Sequence, residues 1–435
     1  MEEINDTPPS NKKGVLGGLL SVFSGIPVLG WLLGALVAVV LEHYLGDPLV
    51  DRIGLDKIPV LFGAVIILKK PLMIPGAAVF MLLIYVIPIA VVARAGKSFS
   101  NRMAGALMRF PIAVPALVHL GLLYGAIHIW SDVSAYRVLT LKLTFVAIML
   151  TLSLNVINGY MGEFSCSHPG FMALGAYGAS VFTVLLFSSD RLFGDPLLPE
   201  ALGPVLFPVG LIFGGLVASL GALVIAIPSF RTRGDYLAII SLAFLFIVKS
   251  MIENLEFVGG PRGLSGQPNY ANLPTVFIWA VLCVWIINNF VRSTLGKALN
   301  AVRDDEVAAD AMTVNTRRTK MVAFMFAAFW AGVAGGLYAH VLRYVNPGTF
   351  GIQKLAEVLA MVYFGGLNSV YGSITGAVSL SLLSEALRPL EIYKWIIIPL
   401  LLILVMIFRP TGLIAFREFD VRKVMQPKSN SDDEV

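Results

Sequence analysis

Apolar runs close to the length of one bilayer crossing follow one another along almost the whole chain. A spanning helix needs about 20 mostly apolar residues. Such runs lie at Val15–Leu41, Leu72–Ala93, Pro111–Trp130, Val138–Ile157, Phe171–Ser188, Val205–Pro228, Tyr236–Asn254, Thr275–Val291, Met321–His340, Leu355–Gly366, Ser373–Leu387 and Trp395–Ile407. Several are short for a full crossing, and Ile58–Leu68, ending in Lys69-Lys70-Pro71, reads as a surface helix or as half of a broken one. With 57% hydrophobic and 14% charged residues over 435 positions, the apolar excess cannot hide in one soluble core, which stops growing at roughly 250 to 300 residues. The expected fold class is an all-α polytopic membrane protein, a helical bundle of about ten to twelve spans. Small-residue faces such as Ala331-Gly332-Val333-Ala334-Gly335-Gly336 let helix backbones approach closely in lipid and favour a packed bundle.

Orientation follows from where Lys and Arg collect, since they stay on the cytoplasmic side. They collect at Arg94, Lys97, Arg102 and Arg109, at Arg231 and Arg233, from Arg292 to Lys320, and at Arg417, Arg422 and Lys423. If each run crosses once, all four groups share a side with Lys12 and Lys13, so both termini are expected in the cytoplasm. The opposite face then carries Glu42–Lys57, Ser189–Pro204, Leu255–Asn272 and Val341–Lys354. The net charge of +5 is scattered between apolar runs and reads as a topology signal, not a nucleic-acid surface. The first run exceeds a signal-peptide core of roughly 7 to 15 residues and reads as a retained span. Cys166 and Cys283 lie far apart in apolar surroundings and read as small buried side chains.

The longest hydrophilic stretch between runs is Arg292–Lys320. Its residues Ala298, Ala301, Val302, Ala308 and Met312 recur near helical spacing, and Ser293 or Thr294 can cap the start. A short amphipathic helix is expected, on which Arg303-Asp304-Asp305-Glu306 is either a solvated face or the centre of a docking surface for a soluble partner. Polar residues inside spans are functional candidates by default: Asn155, Asn158, Glu163 and His168 cluster at one glycine-rich break, and Glu357 interrupts an apolar run. Lys142, Lys249 and Glu253 lie near span ends and are expected to extend to the interface. His119, His128 and His340 have no partners at ligand spacing, so no metal site is expected. Neither is a catalytic one, because no H-E-x-x-H pattern or Ser/His pair falls in the spans.

The pattern Gly296-x-Ala298-Leu299-x-Ala301-x-Arg303-Asp304-Asp305-Glu306-x-Ala308-Ala309 closely resembles the coupling-loop signature of branched-chain amino acid ABC transporter permeases, LivM type. It departs at Thr313-Val314-Asn315, where the family usually has a glycine before a hydrophobic residue and Asn. Further stretches resemble the same family. Leu154-Asn155-Val156-Ile157-Asn158-Gly159-Tyr160-Met161-Gly162-Glu163-Phe164-Ser165, followed by His168, has Glu163 where Gln is common and Ser167 where Gly is common. Arg233-Gly234-Asp235-Tyr236-Leu237-Ala238-Ile239 and Gly259-Gly260-Pro261-Arg262-Gly263-Leu264-Ser265-Gly266 match as well. So do Phe364-Gly365-Gly366-Leu367-Asn368-Ser369-Val370-Tyr371-Gly372 and Arg409-Pro410-Thr411-Gly412-Leu413. The resemblance runs in order from roughly Val138 to Leu413.

The resemblance implies a bundle of the LivH/LivM permease type, forming half of a translocation pathway for branched-chain or related amino acids in a bacterial or archaeal inner membrane. It implies as partners a second, LivH-like permease, two cytoplasmic ATPases and an extracytoplasmic solute-binding protein. ATP and Mg then belong to the ATPases, and this chain is expected to bind no cofactor and to be no enzyme. Gly96-Lys97-Ser98 lacks the upstream glycine of a phosphate loop, which agrees. The chain divides into an N-terminal extension with one to three membrane segments at 1–110, a permease core at 111–416 with the coupling loop at 292–320, and a cytoplasmic tail at 417–435. Gly159, Gly162, Gly365, Gly366 and Gly372 are hinge or pathway candidates, and close helix packing explains them equally well. A second class, an ion-coupled secondary transporter acting alone, would carry a midplane site on discontinuous helices.

Overall fold

Backbone amides in lipid have no water to bond, so apolar stretches must close their hydrogen bonds internally as helices. The computed structural model describes residues 23, 25–53, 74–188, 194–230, 236–388, 391–409, 411–416 and 418–428. Ile58–Leu68 with its Lys69-Lys70-Pro71, and also Lys12, Lys13, Arg231, Arg233-Gly234-Asp235, Pro410 and Arg417, lie outside the described residues. The described residues fall into two units, one within Met1–Val60, Lys70–Val133 and Asp420–Val435, the other within Ser134–Phe419.

The first unit begins with α1 (Val28–Ile53). Next come α2 (Ile74–Met81), a π turn (Leu82–Val86), α3 (Ile87–Ala95), α4 (Lys97–Leu107) and α5 (Ala113–Asp132). The apolar run that was expected to end at Leu41 continues through Glu42 and Pro48. Glu42 stays helical because it is buried and accepts a hydrogen bond from the Tyr85 hydroxyl, which in turn accepts one from Trp130 Nε1 at 3.2 Å. That chain ties α1 to the π turn and to α5. The sequence division placed α5 in the core segment 111–416; here it packs with α1 in the first unit.

The second unit runs through α6 (Ala135–Asn155), which passes into a π turn (Val156–Met161), and then α7 (His168–Phe187), α8 (Gly203–Ser229), α9 (Tyr236–Asn254) and α10 (Leu273–Arg292). It continues with α11 (Thr294–Asp304), α12 (Glu306–Ala311), α13 (Thr316–Leu342), α14 (Ile352–Gly365), α15 (Val370–Ala386) and α16 (Glu391–Phe408). Its centre is the mutual packing of α7, α8 and α13. The small-residue face of α13 is what allows it: a Cβ on Gly332 would stand 2.5 Å from that of Ala218 on α8, and one on Gly335 2.0 Å from Met172 O on α7. Two loops expected on the same face join as β1 (Leu264–Ser265) and β2 (Tyr344–Val345), antiparallel, with Leu264 opposite Val345. A last helix, α17 (Val421–Met425), belongs to the first unit, where it packs on α1 and α5 with Met425 buried.

Nine helical segments among the described residues are long and apolar enough to cross a membrane, and the chain is a multi-pass α-helical membrane protein. The last three apolar runs are shorter than a full crossing. At 1.5 Å per residue the 14 residues of α14 span about 21 Å of a roughly 30 Å hydrocarbon layer. The chain turns between α14 and α15, with Gly366 at φ 127° and Asn368 at φ 55°.

Candidate functional site

The hydrophilic segment after α10 folds as two helices, not one. Ser293 caps α11, its Oγ accepting from Gly296 N at 3.3 Å. Asp305 leaves helical geometry (φ −157°) and caps α12, its Oδ1 accepting from Val307 N and Ala308 N at 2.9 Å each. The break resets the helical register, so the single apolar ridge expected through Ala298, Ala301, Val302, Ala308 and Met312 does not form. Gly296, Leu299, Val302 and Ala309 turn inward, Ala298 is half-buried, and Ala301, Ala308 and Met312 face outward. Val307 and Met312 are each 76% exposed.

Arg303, and Glu306 through Lys320, are tied to the glycine-rich stretch that follows α6. Arg303 Nη1 donates to Gly159 O at 3.4 Å, and its Nε and Nη2 donate to Asp304 Oδ1 at 3.0 and 2.7 Å. The same guanidinium stands 5.7 Å from the centre of the Phe416 ring. Its stem covers Gly162, where a Cβ would lie 2.4 Å from Arg303 Cγ and where φ is +76°. Lys320 Nζ bridges Glu163 Oε1 at 2.7 Å and Glu306 Oε2 at 2.8 Å, with its side chain 9% exposed. Arg303, Asp305 and Glu306 are therefore engaged within the chain, while Val307 on α12 and Met312 just beyond it face outward.

A second glycine-rich break meets the first. Asn155 Nδ2 donates to Ser373 Oγ at 2.6 Å and Ser369 O at 3.0 Å, while its Oδ1 accepts from Asn368 N at 3.1 Å. The segment after α16 lies along that break: Leu413 N donates to Phe364 O at 3.1 Å and Ile414 N to Gly365 O at 2.9 Å. The glycines here are contact points. A Cβ on Gly365 would fall 2.0 Å from Gly372 O, and one on Gly372 2.6 Å from Ile414 O. Asn158 Oδ1 accepts from Ser165 N at 3.2 Å, and buried His168 sets Nε2 3.2 Å from Ser153 Oγ. Glu357 pairs with Lys354 on its own helix at 2.9 Å. His119 reaches Pro115 O, His340 joins Gly336 O to Thr183, and His128 stacks on Tyr124.

Sequence reasoning missed Lys320, Phe416, Ser369 and Ser373. Lys320 read as one more topology cation because it opens an apolar run. Its position in the first turns of α13 was the available signal, since it sets the ammonium beside the segment that returns from α12. Phe416 carries no pattern of its own and reaches Arg303 only because the strap from Thr411 pairs with the second break.

The family described as branched-chain amino acid transport system / permease component matches residues 136–407. The high-affinity branched-chain amino acid transport system permease protein LivM of Escherichia coli (strain K12) is 33% identical over 62% of this chain and 68% of its own length. LivM of Salmonella typhimurium is 32% identical over the same shares, and LivH of Escherichia coli (strain K12) 30% over 41% of this chain and 62% of its own length. No solved structure matches the chain. Because the matched span holds Arg303, Lys320 and both glycine-rich breaks, and most of the chain, this protein belongs to the family of branched-chain amino acid transport permeases.

Proposed function

We propose that this chain is one of two permease subunits of an ATP-driven importer for branched-chain or related amino acids, lying in a cytoplasmic membrane with both termini inside. α11 and α12 are the surface on which a cytoplasmic ATPase docks, and an extracytoplasmic solute-binding protein delivers the cargo. The observation that carries this reading is the pairing of outward apolar side chains, Val307 and Met312, with inward ties through Arg303 and Lys320. A partner gripping α12 moves the end of α6 with it, because the ties leave little slack. Asn155 passes that displacement to the turn between α14 and α15. The glycines at 162, 365, 366 and 372 keep these joints closely packed, so the parts move as bodies.

The test is Val307→Asp with Met312→Asp, which alters the outer surface alone. The ATPase is expected to be lost on affinity purification and uptake driven by ATP to stop, with the thermal unfolding of the chain unchanged. Retained ATPase and uptake would overturn the docking role.

A further inference from the structure

The apolar run of α14 holds two opposite charges, Lys354 and Glu357, whose Nζ and Oε2 are 2.9 Å apart. The ammonium also lies 5.4 Å from the centre of the Tyr338 ring on α13, and that ring packs edge-on against Phe350 with centres 6.2 Å apart. Aromatic contacts thus hold the cation between two helices. As a staple for α14 the pair is the wrong way round. A cation in the first turn faces the positive end of the helix dipole, and the acid stands on its C-terminal side, the weaker order for such bridges. Depth makes the charges more costly still. Along α14, Glu357 and Lys354 lie about 12 and 17 Å from Gly365. Gly365 ends the helix at the break that Asn155 joins to Gly159 and Arg303, so the pair stands near the middle of a roughly 30 Å hydrocarbon layer. Charges at that depth face protein or water, not lipid. The two side chains keep 17% and 31% exposure, and Gln353, one turn before Glu357 on the same face, is exposed. Their open side therefore belongs to a partner-lined or aqueous path.

We infer that Lys354 and Glu357 form the site at which this chain reads the charged head of an amino acid in transit, Lys354 taking the carboxylate and Glu357 the ammonium. The inference rests on the import reading above. An α-amino acid carries both charges on one carbon, so on entering it exchanges one ion pair for two and adds no net charge to the membrane interior. An acid without the amine, or an amine without the acid, leaves one of the two side chains unpaired at depth. The test introduces Gln353→Cys into the full importer in right-side-out membrane vesicles and follows labelling by a charged, water-soluble thiol reagent. Cys166 and Cys283 are buried, so the unaltered chain is the blank. Labelling is expected, and saturating leucine is expected to slow it about tenfold. Isocaproate, which is leucine without its amine, and isoamylamine, which is leucine without its carboxylate, are expected to leave it unslowed. Lys354→Met with Glu357→Gln, added to Gln353→Cys, is expected to remove the protection while labelling persists. Should that variant fail to fold, the comparison of the three compounds on the intact pair still decides. No labelling, labelling that leucine does not slow, equal protection by all three compounds, or protection that survives in the neutral variant would overturn the site. Leucine uptake by the same vesicles is read alongside. Its absence would overturn the import reading itself, whereas uptake with unprotected labelling would overturn this site alone.

Discussion

Lys320 is the residue whose removal should be felt most widely in the second unit. Its ammonium is the shared counter-charge of Glu163 and Glu306, and without it two carboxylates face the same half-buried position. Lys320→Met is expected to destabilise the chain by about 1 to 3 kcal/mol, the range for leaving a charged partner unsatisfied. Adding Glu163→Gln removes one stranded carboxylate and should recover about 1 kcal/mol of that loss, a coupling that distant residues do not show. Thermal unfolding of the two single variants and the double variant measures it; strict additivity would mean that the bridge contributes nothing. Arg303 is held differently. A forked guanidinium serves Gly159 O, Asp304 and the Phe416 ring at once, which a single ammonium cannot do. Arg303→Lys is expected to lower uptake by about tenfold, the equivalent of roughly 1.4 kcal/mol, while the chain still folds. Uptake equal to that of the unaltered chain would detach Arg303 from the transmission path.

Six residues cannot sustain an isolated helix, because the first turn costs more than it returns. α12 therefore depends on its cap, and Asp305 supplies two of the bonds that its first amides need. Asp305→Ala is expected to cost about 1 kcal/mol and to fray α12 alone, so limited proteolysis after residue 304 should rise while global unfolding stays put. Asp305→Asn should restore protection, since the amide oxygen still accepts. This element also marks the limit of what sequence discloses. The spans α7 to α10 and α13 were legible because period and length in lipid leave a helix as the only solution. The break at Asp305 was not, since Asp in a charge run looks the same whether solvated or capping. The extension of α1 past Glu42 was hidden for a related reason: a carboxylate argues for a loop until Tyr85, distant in sequence, satisfies it. The meeting of both glycine-rich breaks was half legible, as the motifs flagged each but Asn155, which joins them, gave no sign of its reach.

At the scale of the whole molecule, the first unit is assembled from both ends of the chain. α17 packs on α1 and α5, and Lys428 N binds Asn101 on α4, so residues near the C-terminus complete a unit begun before α6. A cut at Pro111 therefore removes α1 to α4 but leaves α5 and α17 without the surfaces that bury them. A cut on both sides, keeping only 134–419, removes the unit whole and leaves the family-matched span 136–407 intact. Exposed remnants cost more than absent ones, because α5 would lose its packing against α1 at the joint that Glu42, Tyr85 and Trp130 form. The chain beginning at Pro111 is accordingly expected to be less stable and more prone to aggregate in detergent than the shorter 134–419 chain. Size-exclusion profiles and unfolding temperatures of the two, set beside the full chain, decide it. Cargo choice should be the same in whichever truncated chain still transports, since Arg303, Lys320 and both glycine-rich breaks all lie within 134–419. A longer chain that outlasts the shorter one would show that α5 is held by the second unit, and an altered cargo profile would assign the first unit a part in the pathway.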